Sequence, residues 1–205
     1  MRVLFLHQNF AGQWVHLARY YKSDAGNEVV AITDSENKQP EIVPTYRYPT
    51  PTPDVRRLPR VVARFAHNLA RAELVAKVMI DLKRQGFTPE VVAGHCGWGE
   101  TLFVKEIWPE AKLIIYGEYF YRTRGSDYDF DPEFHKSNMG ARLGTWAYNA
   151  TTTLAMASAD QIVTPTVWQR DRFPKLGRHR DRQADVLVSW AEMRRSPGHV
   201  VRKLC

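Results

Sequence analysis

Val3, Leu4, Phe5 and Leu6 make the first uninterrupted apolar run, the polar His7-Gln8-Asn9 closes it, and beyond Gly12 the positions Trp14, Val15, Leu17, Ala18 and Tyr21 recur at near-helical spacing. A continuous run followed by that period predicts strand, loop and helix. The β-branched run Glu28–Asp34 is the next strand, so the chain opens on a βαβ unit whose two strands are buried and parallel. From Ser35 to Pro53, prolines at 40, 44, 49, 51 and 53 deny the segment a helix or a central strand, because proline has no N–H for a sheet ladder. From Pro59, the apolar positions Val62, Phe65, Leu69, Ala72, Ala76 and Met79 predict one long helix with Gly86 as its stop.

Further strands are expected at Glu90–His95, Lys112–Gly117 and Gln161–Thr164, with a short helix from Glu100 to Pro109 and a longer one from Met139 to Ala159. Strands alternating with helices predict an α/β fold, a doubly wound parallel sheet of Rossmann-like type covered on both faces. That pattern runs over residues 1–174. Residues 175–205 lack sustained apolar periodicity and read as a basic, poorly ordered tail.

Composition narrows the class. With 205 residues, 44% hydrophobic and 25% charged, the chain is long and apolar enough for a folded core and is neither disordered nor fibrous. Two cysteines, Cys96 and Cys205, do not make a disulfide framework, which points to a reducing compartment. No apolar run approaches the ~18 residues of a membrane span, and the N-terminal run is too short for a signal peptide, so a cytoplasmic chain is expected.

The net charge of +7 is uneven. From Arg170 onward ten Lys and Arg stand against four Asp and Glu, which leaves residues 1–169 at only +1. Binding to nucleic acid, or peripheral attachment to the inner face of a membrane, therefore rests on the tail alone. Arg57, Arg60, Arg64 and Arg71 also form a basic stripe along the long helix, read either as a solvated face or as a contact for an anionic surface.

In open parallel sheets, ligands bind outside the carboxyl ends of the strands. That rule selects His7, Asn9 and Gly12 after the first strand, Thr33 and Asp34 after the second, His95 after the third, Glu118 after the fourth and Thr164–Thr166 after the fifth. Gly12, in the loop entering a helix, either lets an anion such as a phosphate approach backbone N–H groups or makes an ordinary tight turn. His95, followed by Gly97 and Gly99, either faces a cleft as a proton donor or acceptor or serves as a structural histidine. Glu118 stands among Tyr116, Tyr119, Phe120 and Tyr121, which suits the holding of sugar hydroxyls, or pairs with Arg122 or Arg124. The seven histidines are scattered without metal-ligand spacing, and no G-x-S-x-G hydrolase elbow occurs.

Four segments, Met1–Gln13, Val91–Glu100, Tyr116–Tyr121 and Thr164–Pro174 with its Trp168-Gln169 and Phe173-Pro174, together resemble the N-terminal half of a glycosyltransferase family 4 enzyme over about residues 1–174. The resemblance implies a single half of a GT-B fold, with the acceptor held by this half and a nucleotide-sugar by a second Rossmann-like domain. It implies transfer with retention of configuration, a nucleotide-sugar as co-substrate, no metal ion and no other cofactor. It implies that Gly12 lies in the loop near the donor diphosphate, that His95 is the catalytic histidine approaching the transferred sugar, and that Asn9 and Glu118 bind a sugar or glycoconjugate acceptor.

Only 31 residues follow Pro174, too few for a donor domain. The expectation is a chain inactive alone, with nucleotide-sugar bound only where a donor domain is supplied, and an Arg-rich end that is a truncation, a frameshift or a true basic tail. Two other readings stay open. One is a non-catalytic binding module using the tail on nucleic acid or an anionic membrane. The other is a nucleotide-dependent oxidoreductase, for which Asp34 stands 22 residues after Gly12.

Overall fold

The computed structural model describes residues 1–126, 131, 133, 138–174 and 187–189. Seven strands, β1 (Arg2–Leu6), β2 (Glu28–Asp34), β3 (Thr45–Tyr48), β4 (Val91–His95), β5 (Lys112–Tyr116), β6 (Gln161–Thr164) and β7 (Leu187–Ser189), form one sheet in the order β3-β2-β1-β4-β5-β6-β7. Every pairing is parallel. Parallel neighbours need crossovers. They are supplied by α1 (Val15–Lys22), α2 (Arg60–Arg84), α3 (Val104–Ile107) and the pair α4 (Met139–Ala147) and α5 (Asn149–Ser158), while α6 (Val167–Arg170) follows β6. This is the doubly wound, Rossmann-like α/β sheet that the alternation of patterns predicts.

Successive side chains of a strand face opposite sides, so β1 divides the core in two. Leu4 and Leu6 join Val30, Ile32, Val92, Leu113 and Ile115 on the face covered by Ala72, Val75, Met79 and Leu82 of α2. Val3 and Phe5 join Val29, Ala31 and Ala93 on the face covered by Phe10, Trp14 and Ala18. Both faces are dry, which is why the strands read as apolar runs rather than alternating ones.

The structure departs from the sequence expectation at several places. The proline-rich segment carries β3, whose only strand partner among the described residues is β2, and an edge strand tolerates the flanking Pro44 and Pro49 as a central one does not. The helix expected from Met139 to Ala159 is two helices meeting at Tyr148, where the Asn149 side chain turns to the Tyr121 backbone, accepting its N–H and donating to its carbonyl, both at 2.8 Å. The helix expected from Glu100 is a turn ahead of the four-residue α3. Apart from β7, the expected tail 175–205 lies outside the described residues. Among the described residues no helix is long and apolar enough to cross a membrane.

Candidate functional site

The chain runs outward from β1 to β2 and β3, then crosses back over α2 to β4 on the other side of β1. Between β1 and β4 the winding reverses, which is where open parallel sheets hold their ligands. A histidine stands at the carboxyl end of each of the two strands: His7 directly follows β1, and His95 is the last residue of β4. His7 and His95 are both buried, with ring centres 6.1 Å apart.

Both rings are oriented by local backbone. The Asn9 N–H donates to His7 Nδ1 at 3.1 Å, and the Gly97 N–H donates to His95 Nδ1 at 2.9 Å. An accepting Nδ1 carries no proton, so each neutral ring bears its hydrogen on Nε2. His95 Nε2 donates in turn to Glu118 Oε2 at 3.0 Å. That hydrogen bond is the leading cause that holds the Glu118 carboxyl below its ordinary range. Burial, reinforced by the nearby His95, pushes His7 down to about 4.

Gly12 belongs to the same cluster. Its backbone lies in the left-handed region at φ +48°, and a Cβ there would meet His7 Cε1 at 3.0 Å, so only glycine leaves that face of His7 open. The loop before it is latched to β2. Thr33 Oγ1 donates to the Gln8 carbonyl and accepts the Phe10 N–H, while the buried Asn37 donates to the Phe10 carbonyl at 2.6 Å. Asp34 faces away from this task, because its Oδ1 accepts the Glu36 N–H and the Thr50 hydroxyl. Its carboxylate closes the next loop rather than standing ready for a ribose.

Gly12, His95 and Glu118 thus converge at one rim with His7 between them. Asn9 reaches the cluster through its N–H, and the residue itself is exposed. Glu118 pairs with His95 and not with the two arginines proposed for it. Arg122 donates instead to the carbonyls of Asp171 and Arg172. The fifth-strand segment closes the rim from the other side. Thr166 caps α6, and the Gln169 side chain donates to the Glu118 carbonyl at 2.7 Å.

Beside His95 and Glu118 lies a recess of about 40 Å³ lined also by Arg64, Trp98, Tyr121 and Tyr148. It admits a small polar group and not a whole sugar ring. An apolar groove of about 550 Å³ between α2 and the α4–α5 pair, lined by Phe65, Phe120, Trp146 and Leu154, is larger and has no titratable group on its walls among the described residues. Of the two, it is the small recess that has titratable side chains on its walls.

Sequence reasoning missed the outer half of this recess. The expected stripe does not survive, because Arg57 lies before α2 and, of the four arginines, only it and Arg60 are exposed. Arg71 is buried and donates to the Trp98 carbonyl at 3.0 Å, and Arg64 stacks against Trp98, Tyr121 and Tyr148. Asn68, also buried, donates to the Gly97 carbonyl at 3.0 Å and to the Thr151 hydroxyl at 2.9 Å. These partners come from distant segments, and nothing in local spacing reveals them. Cys96 lies wholly inside, and burial pushes its thiol up to about 12, so it is inert.

A family model described as Glycosyl transferase family 4 group matches residues 25–184. No curated protein matches the chain. Among solved structures, a UDP-glucosyltransferase from Polygonum tinctorium capable of glucosylating indoxyl is similar at 9% identity and TM-score 0.48, over 85% of this chain and 49% of that one. UGT89C1 from Arabidopsis thaliana, complexed with UDP-L-rhamnose, is similar at 15% identity and TM-score 0.48, over 82% and 46%. A UDP-GlcNAc 2-epimerase from Neisseria meningitidis, bound to UDP-GlcNAc, is similar at 10% identity and TM-score 0.46, over 84% and 42%. The chain spans about half the length of these structures.

Proposed function

The chain belongs to the glycosyl transferase family 4 group, and from that membership we propose that this domain is the acceptor-binding wall of a retaining, nucleotide-sugar-dependent transfer site. The nucleotide-sugar enters as co-substrate from a facing donor domain, on the same polypeptide or on another. In transfer, the acceptor hydroxyl oxygen bonds to the anomeric carbon as the bond from that carbon to the diphosphate oxygen breaks. The hydroxyl proton leaves with the diphosphate.

Each residue then has a task. Glu118 accepts the hydrogen bond of an acceptor hydroxyl. His95, whose Nε2–H points at Glu118 in this structure, offers that hydrogen to the transferred sugar once a hydroxyl takes its place on the carboxylate. The Gly12 loop gives the leaving diphosphate close access, since a bare α-carbon and fixed N–H groups offset its charge without reorganisation. Asn9, exposed beside His7, contacts the acceptor.

The observation that carries this reading is the His95–Glu118 contact at the switch point, with the His95 proton held on Nε2 by the Gly97 N–H. Its test is saturation-transfer NMR of the chain with a panel of monosaccharides, glycosides, nucleoside diphosphates and nucleotide-sugars. Sugar contacts that weaken at least tenfold in Glu118→Gln and His95→Ala, with the fold intact by circular dichroism, are expected. Sugar binding untouched by either substitution, or firm binding of NAD in place of sugars, overturns it.

A further inference from the structure

Arg64 enters the recess from the first third of α2 and lines it together with His95 and Glu118. Its guanidinium carbon lies 4.4 Å from the centre of the Tyr148 ring, 5.6 Å from Tyr121 and 5.7 Å from Trp98. Among the described residues it makes no ion pair and donates no hydrogen bond. Aromatic faces attract the charge and fix the plane of the group, but they do not satisfy its N–H edge. A half-buried guanidinium held among three aromatic rings, with its donors unspent, suits a planar or tetrahedral oxyanion.

The surroundings favour the same ligand. No Asp or Glu occurs between Asp54 and Glu73, while the exposed Arg60 sits one turn before Arg64 on α2 and Arg57 lies in the turn that precedes the helix. The positive end of the α2 macrodipole lies at that end too. Among the described residues the one carboxylate lining the recess is Glu118, which is engaged by His95 and suits a hydroxyl rather than an anion.

We infer that Arg64 is an oxyanion subsite, so that the acceptor carries a phosphate or carboxylate group gripped by the guanidinium while a hydroxyl of the same molecule lies against Glu118. The subsite deepens the sugar-transfer reading and rests on it for the identity of the hydroxyl partner, but the anion contact itself is separately measurable. Tyr121, Tyr148 and Trp98 would then act as positioning residues, keeping the guanidinium plane aimed into the recess.

The test uses the full chain labelled with 5-fluorotryptophan, with the Trp98 resonance assigned by its loss in Trp98→Phe. Inorganic phosphate, glucuronate and glucose are titrated in turn. A saturable shift of the Trp98 signal is expected with phosphate or glucuronate, at least about tenfold tighter than with glucose. Arg64→Gln is expected to weaken that response about tenfold or more, and Arg64→Lys to recover part of it, which separates loss of charge from loss of fold. A stronger response to phosphate assigns a phosphorylated acceptor, and a stronger one to glucuronate an acidic sugar. No saturable response to either anion, or a response that Arg64→Gln leaves unchanged, overturns the subsite. An Arg64-dependent anion response in a chain whose sugar contacts ignore His95 and Glu118 keeps the subsite and removes the transfer reading.

Discussion

The rings of His7 and His95 meet edge-on, with centres 6.1 Å apart, at the neighbouring ends of β1 and β4, and each accepts on Nδ1 the N–H of the residue two places on. The repetition has a physical cause. A strand that ends in histidine and turns sharply brings the second N–H beyond it back onto the ring. Two imidazolium rings so close and so buried would repel, so the pair is stable only while His7 stays neutral. Its protonation is pushed down to about 4, by burial first and by His95 second.

That shift makes stability depend on pH. An unfolded chain takes up a proton at His7 near pH 6.5, whereas the folded chain resists until about 4. Stability is complete above the unfolded value and falls as the pH drops through the window between the two. The loss attributable to His7 amounts to about 2–3 kcal/mol at pH 4.5. Urea unfolding at pH 7 and pH 4.5, compared with His7→Gln, measures it. A wild-type slope no steeper than that of the variant refutes the assignment.

The Glu118 carboxyl is held below its ordinary range chiefly by the hydrogen bond from His95. Removing the donor in His95→Ala is therefore expected to return Glu118 upward, toward the value of a free glutamate. A carbon-detected NMR titration of the Glu118 side-chain carboxyl reads this directly. Because the side chain is 57% exposed, the change is expected in the titration and not in the melting temperature. A midpoint unmoved by the substitution shows that the contact is absent in solution.

The fold was legible in the sequence because a parallel sheet covered on both faces leaves near-continuous apolar runs, and Val3–Leu6, Val29–Ile32 and Leu113–Ile115 are such runs. The strand β3 was hidden by its prolines, and the break at Tyr148 by an unbroken helical period, since its cause is the Asn149 bond to a backbone 28 residues away. At the site, the strand-end rule found His7, Gly12, His95 and Glu118, because position along a strand decides which end a residue occupies. It was blind to Arg64 and Asn68. Those lie mid-helix, and their meaning comes from Trp98, Tyr148 and Thr151, which only the packing of α2 against the later helices brings near.

Two glycines separate packing from propensity. Gly99 has φ +102°, and a Cβ there would lie 2.1 Å from the Asn68 carbonyl oxygen, so Gly99→Ala forces the loop off α2. Its expected cost is at least about 3 kcal/mol, with the His95 environment disturbed as well. Gly144, inside α4, has nothing within 4 Å of its Cβ position, so Gly144→Ala is expected to stabilise by about 0.5–1 kcal/mol. Thermal denaturation of both variants checks the pair. A neutral Gly99→Ala contradicts the close approach of that loop to the helix.

Asn68 is the link between α2 and the histidine. Its two amide hydrogens go to the Gly97 carbonyl and the Thr151 hydroxyl, and the N–H of Gly97 in turn fixes the proton of His95 on Nε2. Asn68→Ala leaves a partly buried carbonyl and a buried hydroxyl each short of a partner, at a cost of about 1–3 kcal/mol for the hydroxyl and less for the carbonyl. Stability alone does not separate this role from ordinary packing, but the tautomer does. In the wild type the nitrogen-15 spectrum of His95 should report a bare Nδ1 and a protonated Nε2, and in Asn68→Ala a mixture of the two neutral forms. A destabilised variant that keeps the wild-type tautomer means that the Arg71 bond to the Trp98 carbonyl holds the loop without help from Asn68.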